Sequence, residues 1–163
     1  MAKKSRSAGG TPATVALTAA GIAFTLHEYD HDPRAASYGL EAAEAIGVDP
    51  ARVFKTLLVD TGSALAVAIV PVDRQLDLKA VSAALGAKKV TMADPALAER
   101  STGYVVGGIS PIGQKRALPA VLDESALVHD TVLVSGGRRG LDLELTPQDL
   151  ARVVDARTAP IAR

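Results

Sequence analysis

From residue 11 onward the chain switches repeatedly between a period of two and a period near three and a half. Residues 22–29, IAFTLHEY, put Ile22, Phe24 and Leu26 on one side and Ala23, Thr25, His27 and Tyr29 on the other, which predicts a half-buried strand. Just before it, Thr11 and Pro12 read as an N-cap followed by proline at the first helical position, with Gly21 as the stop, so 11–20 is expected to be a helix. SYGLEAAEAIG predicts a second helix ended by Gly47, and DPARVF a short turn capped by Asp49. KTLLVDTG and ALAVAIVP predict two strands joined as a hairpin through Asp60, Thr61 and Gly62. Their unbroken apolar runs point to a sheet covered on both faces.

Further along, DLKAVSAALG is a helix stopped by Gly86, KKVTM a short strand, and ADPALAER a helix capped by Asp94 with Pro95 behind it. GYVVGGISPIGQ is expected to begin as a strand and then dissolve into a loop punctuated by glycine and proline. TVLVSGGRRG is a strand running into a glycine-rich turn and LDLEL another strand. TPQDLARVVDAR is a last helix with Thr146 as cap and Asp149 in a capping-box position. No repeat, heptad or interior linker interrupts this order. The expectation is one α/β or α+β domain over residues 11–163, built around a mixed sheet, behind a disordered tail at 1–10 rich in lysine, serine and glycine.

Composition narrows the function. At 163 residues and 48% hydrophobic the chain can enclose a core of its own. Eighteen lysines and arginines balance eighteen aspartates and glutamates, so any nucleic-acid contact must come from a local patch, and a nonspecific duplex-DNA binder is disfavoured. The absence of cysteine removes disulfide scaffolds, thiolate zinc sites and cysteine nucleophiles, and fits a reducing cytoplasm. No apolar run approaches the roughly 20 residues that span a bilayer.

Residues 27–31, HEYDH, spell H-E-x-x-H, a zinc-protease signature when it lies on a helix. There the two histidines sit about 6 Å apart along the axis. The alternation around them predicts a strand, which would separate them by roughly 13 Å, too far for one ion with nitrogen ligands near 2 Å. A chance match is the better reading.

Three other stretches look less like core. Lys55 stands at the mouth of an apolar strand; a strand-end lysine is ordinarily solvated, yet there it could offer an ammonium to an anionic group. TGYVVGGISPIGQKR leaves its expected strand through Gly107 and Gly108, a plain turn or a nest of amides near a ligand oxygen. SGGRRGLDLEL joins Gly136, Gly137, Arg138 and Arg139 to Asp142, a turn suited to a phosphate or an RNA backbone. It lacks the Walker A spacing, and G-x-G-x-x-G occurs nowhere, so nucleotide hydrolysis and dinucleotide redox drop out.

Taken in order, TPA at 11, YDHDP at 29, YGLEAAEAIG at 38, VFKTLLV at 53, VPVDRQLDLKAVSAALGAKKVTMADP at 70, STGYVVGGISPIGQK at 101 and VSGGRRGLDLEL at 134 resemble the YbaK-type aminoacyl-tRNA deacylases. These are related to the editing domain of bacterial prolyl-tRNA synthetases. The resemblance implies a mixed, partly closed sheet or barrel surrounded by helices. It also implies a cofactor-free activity that hydrolyses cysteine wrongly attached to proline tRNA, with the substrate's own thiol as nucleophile. The family's key lysine falls on Lys55 and its pocket residues on Tyr29, Tyr38, Gly107 and Asp142; the glycine turns add Gly108, Ile109, Ser110 and Gly137 as substrate-binding candidates. The partners implied are the acceptor end of a charged tRNA and, transiently, prolyl-tRNA synthetase. The competing readings are a noncatalytic pocket for a nucleotide or phosphate, held through Lys55 and the SGGRRG turn, and a plain interaction domain.

Overall fold

The computed structural model describes residues 10–163, so nearly all of the expected tail lies outside the described residues. In chain order the elements are α1 (Pro12–Ala19), β1 (Thr25–Glu28), α2 (Tyr38–Ile46), β2 (Phe54–Asp60), β3 (Leu65–Pro71), α3 (Leu78–Leu85), β4 (Thr91–Met92), α4 (Pro95–Thr102), β5 (Ala120–Asp123), β6 (Val132–Arg138), β7 (Leu141–Leu145), α5 (Pro147–Val153) and β8 (Ala156–Ala159). Two 3-10 turns, Pro50–Arg52 and Glu124–Val128, fill the corners.

Helix starts follow the expected caps at Thr11, Asp94 and Thr146, and two further caps, Ser37 and Asp77, act in the same way. The side chains of Thr11, Ser37, Asp77, Asp94 and Thr146 each accept the main-chain N–H of the third helical residue, replacing a bond the helix cannot make for itself. Gly47 and Gly86 close α2 and α3 in the left-handed conformation.

The strands form two sheets. One is antiparallel in the order β1-β7-β6; the other is mixed, in the order β4-β2-β3-β5-β8, with β5 parallel to both β3 and β8. β3 is buried along its whole length, as its unbroken apolar run predicts. A parallel bridge between Val53 and Leu133 joins the sheets, which makes the sheet mixed and partly closed. One apolar cluster, including Leu17, Phe54, Ile69, Leu122, Val134 and Leu143, fills the space between the sheets, and a second lies between the five-stranded sheet and α3. A third and smaller cluster, Ala43, Val53, Val72 and Leu133, packs α2 against the bridge. Gly39 makes that approach possible, since a Cβ there would fall 2.2 Å from a methyl of Val72.

Three elements differ from expectation. Tyr104 to Val106 form no strand: Val105 and Val106 are 53% and 36% exposed. Their main-chain groups are taken by local partners instead of a ladder. Gly108 N–H donates to the Val105 carbonyl, Val106 N–H to Glu99, and the Val106 carbonyl accepts from Arg139. The interior strand β5, four residues behind Pro119, is too short to show a period. The last helix stops at Val153, ahead of Asp155 at φ 52°, and Ala156 and Arg157, expected at the helix's end, open strand β8.

Candidate active site

In the three-stranded sheet, LDLEL alternates: Leu143 and Leu145 enter the main core with Val132 and Val134, so Asp142 and Glu144 share the opposite face. The register sets His27 and Ser135 directly beside Asp142 on that face. Glu144 collects Arg52 at 2.9 Å, His27 at 2.7 Å and the hydroxyl of Thr131. Asp142 makes no such bond and is nonetheless only 6% exposed. Burial without a partner raises its carboxyl from 3.8 to about 7.

Beside it the chain leaves β1 through Tyr29, whose N–H donates to the Gly140 carbonyl and so prolongs the ladder. Burial, followed by the charges of Asp142 and Glu41, raises the Tyr29 phenol to about 12, so this hydroxyl stays a donor across the physiological range. Glu41 on α2 accepts His31 Nδ1 at 2.8 Å and the Asp32 N–H at 2.6 Å, which ties the segment after Tyr29 to the helix that begins at Tyr38.

These groups open onto a cavity of about 360 Å³, within the range of small-molecule sites. Tyr29, Tyr38, Lys55, Gly107, Ile109 and Asp142 all line it, together with apolar side chains of β2 and α4. Lys55 lies on β2, in the other sheet from Asp142, so the cavity straddles the junction of the two sheets. Partial burial holds the Lys55 ammonium below the usual lysine range, with Asp73 opposing in part, and among the described residues it has no ion-pair partner. At the mouth, the Arg139 guanidinium sits 5.0 Å from the centre of the Tyr38 ring and donates to the Val106 carbonyl.

Gly107, at φ 90°, completes this rim: a Cβ would fall 2.8 Å from Arg139 Nε and 2.9 Å from the Tyr38 ring. Gly107→Ala is therefore expected to narrow the mouth and strain the loop. We expect a loss of about 1 kcal/mol or more in a thermal melt and weaker binding of any cavity ligand by calorimetry; unchanged binding would show that the rim does not touch the ligand.

Gly108, Ser110 and Gly137 do not line the cavity. Gly108 has its amide bonded to Val105 and presses on the Arg138 backbone, so it offers no donor to a ligand, against the amide-nest expectation. Ser110 is fully buried, its hydroxyl accepting from Ile112 N–H, and Gly137 packs against Thr11 and Tyr104. The arginines of the SGGRRG turn are also engaged, Arg138 with Glu28 at 2.8 Å and Arg139 with the rim, which weakens that turn as a free phosphate anchor. Thr56 and Ser135 line the cavity although neither stood out among the candidates. Ser135 lay in plain view in the glycine turn, directly across the ladder from Asp142. The histidines of HEYDH go to different carboxylates, Glu144 and Glu41, and β1 is a strand as the alternation predicts.

Fold and cavity together define a small mixed α/β pocket domain that sets an ammonium, a buried carboxyl and a phenol around one cavity. Its sequence agrees with the model of the aminoacyl-tRNA editing domain over residues 32–153, and the chain belongs to that family. It is 39% identical over 120 residues to the Enterococcus faecalis protein EbsC, provisionally named a Cys-tRNA(Pro)/Cys-tRNA(Cys) deacylase, covering 73% of each chain. A Desulforamulus reducens proline–tRNA ligase is 30% identical over 93 residues, 56% of this chain and 16% of the ligase. Among solved structures, one described provisionally as a trans-editing enzyme for prolyl tRNA synthetase superposes with a TM-score of 0.84 at 26% identity, covering 93% of this chain and 95% of that one. No helix among the described residues is long and apolar enough to cross a membrane.

Proposed function

We propose that this protein is a trans-acting hydrolase that removes the amino acid from misacylated tRNA, chiefly cysteine from tRNA(Pro), in a single domain spanning residues 11–163. The observation that carries the reading is the convergence of Lys55, Tyr29, Gly107 and Asp142, far apart in sequence, on one cavity. The names of the Enterococcus and Desulforamulus relatives supply the substrate class.

The chemistry follows from what the site offers. The chain has no cysteine, and its cavity lining holds no histidine to activate a serine. A cysteinyl ester brings its own nucleophile: its sulfur attacks its own carbonyl, a C–S bond forms, the ester C–O bond breaks, and the ribose oxygen leaves with the proton the thiol gave up. Water then opens the cyclic thioester. Intramolecular attack needs the protein only to hold the ester in a reactive shape. Lys55 grips the terminal adenosine through a phosphate or ribose hydroxyl, Asp142 fixes the amino group or the ribose, and Tyr29 and Tyr38 wall the pocket.

A domain of this size with zero net charge reads little of a tRNA beyond its acceptor end, so prolyl-tRNA synthetase is proposed as a transient partner that supplies tRNA identity. One panel tests both ideas: cysteinyl-, seryl- and alanyl-tRNA, with and without the synthetase. We expect cysteinyl esters to be cleaved at least about 100-fold faster than seryl esters, and the synthetase to sharpen the preference for tRNA(Pro). Rapid seryl hydrolysis would sink the thiol route; an indifferent synthetase would sink the partnership.

A further inference from the structure

Among the described residues, Thr56 Oγ1 is the enclosed side-chain oxygen that has no hydrogen-bond partner. Comparable groups are satisfied: Thr102 donates to the Ala98 carbonyl, Ser110 accepts from Ile112, and Asp123 accepts the N–H groups of Ile161 and Ala162. An orphan hydroxyl in a packed wall costs stability, so its presence calls for a partner that arrives from outside. Thr56 lies in the wall of the cavity, next to Lys55.

The main chain at this point is also unclaimed. Val53 gives its carbonyl to Val72 N–H, so odd-numbered residues of β2 turn their polar groups toward β3 and even-numbered ones toward the other edge. On that edge β4 pairs only with Val59 and Asp60, and the Ala93 N–H bonds to the Leu58 carbonyl. Among the described residues, Thr56 therefore turns its N–H and C=O into the gap on that edge between the β6 bridge at Val53 and the β4 pairing at Val59, beside its own unpartnered hydroxyl.

We propose that Thr56 is a substrate-contacting residue of this site, its hydroxyl donating to the carbonyl oxygen of the aminoacyl ester while the open β2 edge holds the rest of the aminoacyl group. The inference rests on the deacylase reading above. It fills a gap in that reading, because the Gly108 amide is spent on Val105 and cannot serve a developing oxyanion. A single χ1 step between staggered rotamers re-aims a threonine hydroxyl, and no protein group holds this one back from an acceptor seated in the cavity. An α-aminoacyl ester suits a bare strand edge, since it carries a carbonyl acceptor and an amino donor on adjacent carbons, as a strand residue does.

The test compares Thr56→Val, which keeps the shape and loses the hydroxyl, with Thr56→Ser, which keeps the hydroxyl, using cysteinyl-tRNA(Pro) and thermal melts of each protein. Thr56→Val should lower kcat about 100-fold with KM within about twofold of wild type, and melt no lower than wild type. Thr56→Ser should retain most of the turnover. Wild-type turnover in Thr56→Val overturns the inference while an active wild-type enzyme leaves the deacylase reading standing. A lower melting temperature for Thr56→Val also overturns it, because the hydroxyl would then have a partner within the protein. An inactive wild type removes both.

Discussion

Lys55→Ala leaves the fold standing and lowers cleavage of cysteinyl-tRNA(Pro) by about 100- to 1000-fold. The fold survives because the lysine lends it nothing: its ammonium has no ion-pair partner among the described residues, and partial burial works against its charge. The same isolation makes the group available to a substrate. An ammonium already stripped of part of its water gives up little more on meeting a phosphate or hydroxyl, and the surrounding apolar wall strengthens that contact. Single-turnover deacylation alongside a thermal melt reads both halves. A variant that cleaves at the wild-type rate would remove the lysine from the mechanism, and one that melts far below wild type would show it to be structural.

Asp142→Asn should change stability and activity in opposite directions. The Asp142 carboxyl ionises near 3.8 when unfolded and at about 7 in the fold, where burial alone opposes its charge. Below pH 3.8 both states hold the proton and the group is neutral to folding; stability is then lost as pH rises toward 7 and stays lower above it. The asparagine variant escapes that loss. At pH 8 it should gain up to roughly 4 kcal/mol over wild type, and at pH 4 almost nothing. Its deacylation should fall by about tenfold or more. The wild-type pH–rate profile should show an ionisation near 7 that the variant lacks. Denaturant unfolding at the two pH values, set beside those profiles, decides the matter; an equal gain at both pH values would mean that packing and not charge sets the cost.

Much of this arrangement is legible in the residues, for specific reasons. Helix starts at Thr11, Ser37, Asp77, Asp94 and Thr146 are local chemistry, because the capping side chain and the N–H it accepts lie three residues apart. The β2–β3 hairpin is equally local. What local pattern could not carry was cover. LDLEL reads as a strand with Asp142 at its start, and only the packing of neighbouring elements over that face buries the carboxylate. Lys55 and Gly107 were visible as residue types at strand and loop ends, and the cavity unites them through the closure of two sheets. Gly108 and Ser110 looked like their neighbour Gly107, but one loop residue faces the cavity while the next is turned into the wall by the Val105 carbonyl. The strand expected at Tyr104 failed because its apolar residues had no ladder to join.

The four apolar side chains at the sheet bridge have a consequence for how such a site can evolve. Ala43, Val53, Val72 and Leu133 clamp the two sheets and the helix that begins with Tyr38, so the gap between Lys55 and Asp142 is gauged by hydrocarbon, of which Val53 and Val72 also line the cavity while Ala43 and Leu133 lie behind it. Adding or removing a single methyl group there would re-tune which esters fit, leaving every polar group in place. New preferences could therefore arise by selection on this apolar clamp, with the reactive chemistry untouched.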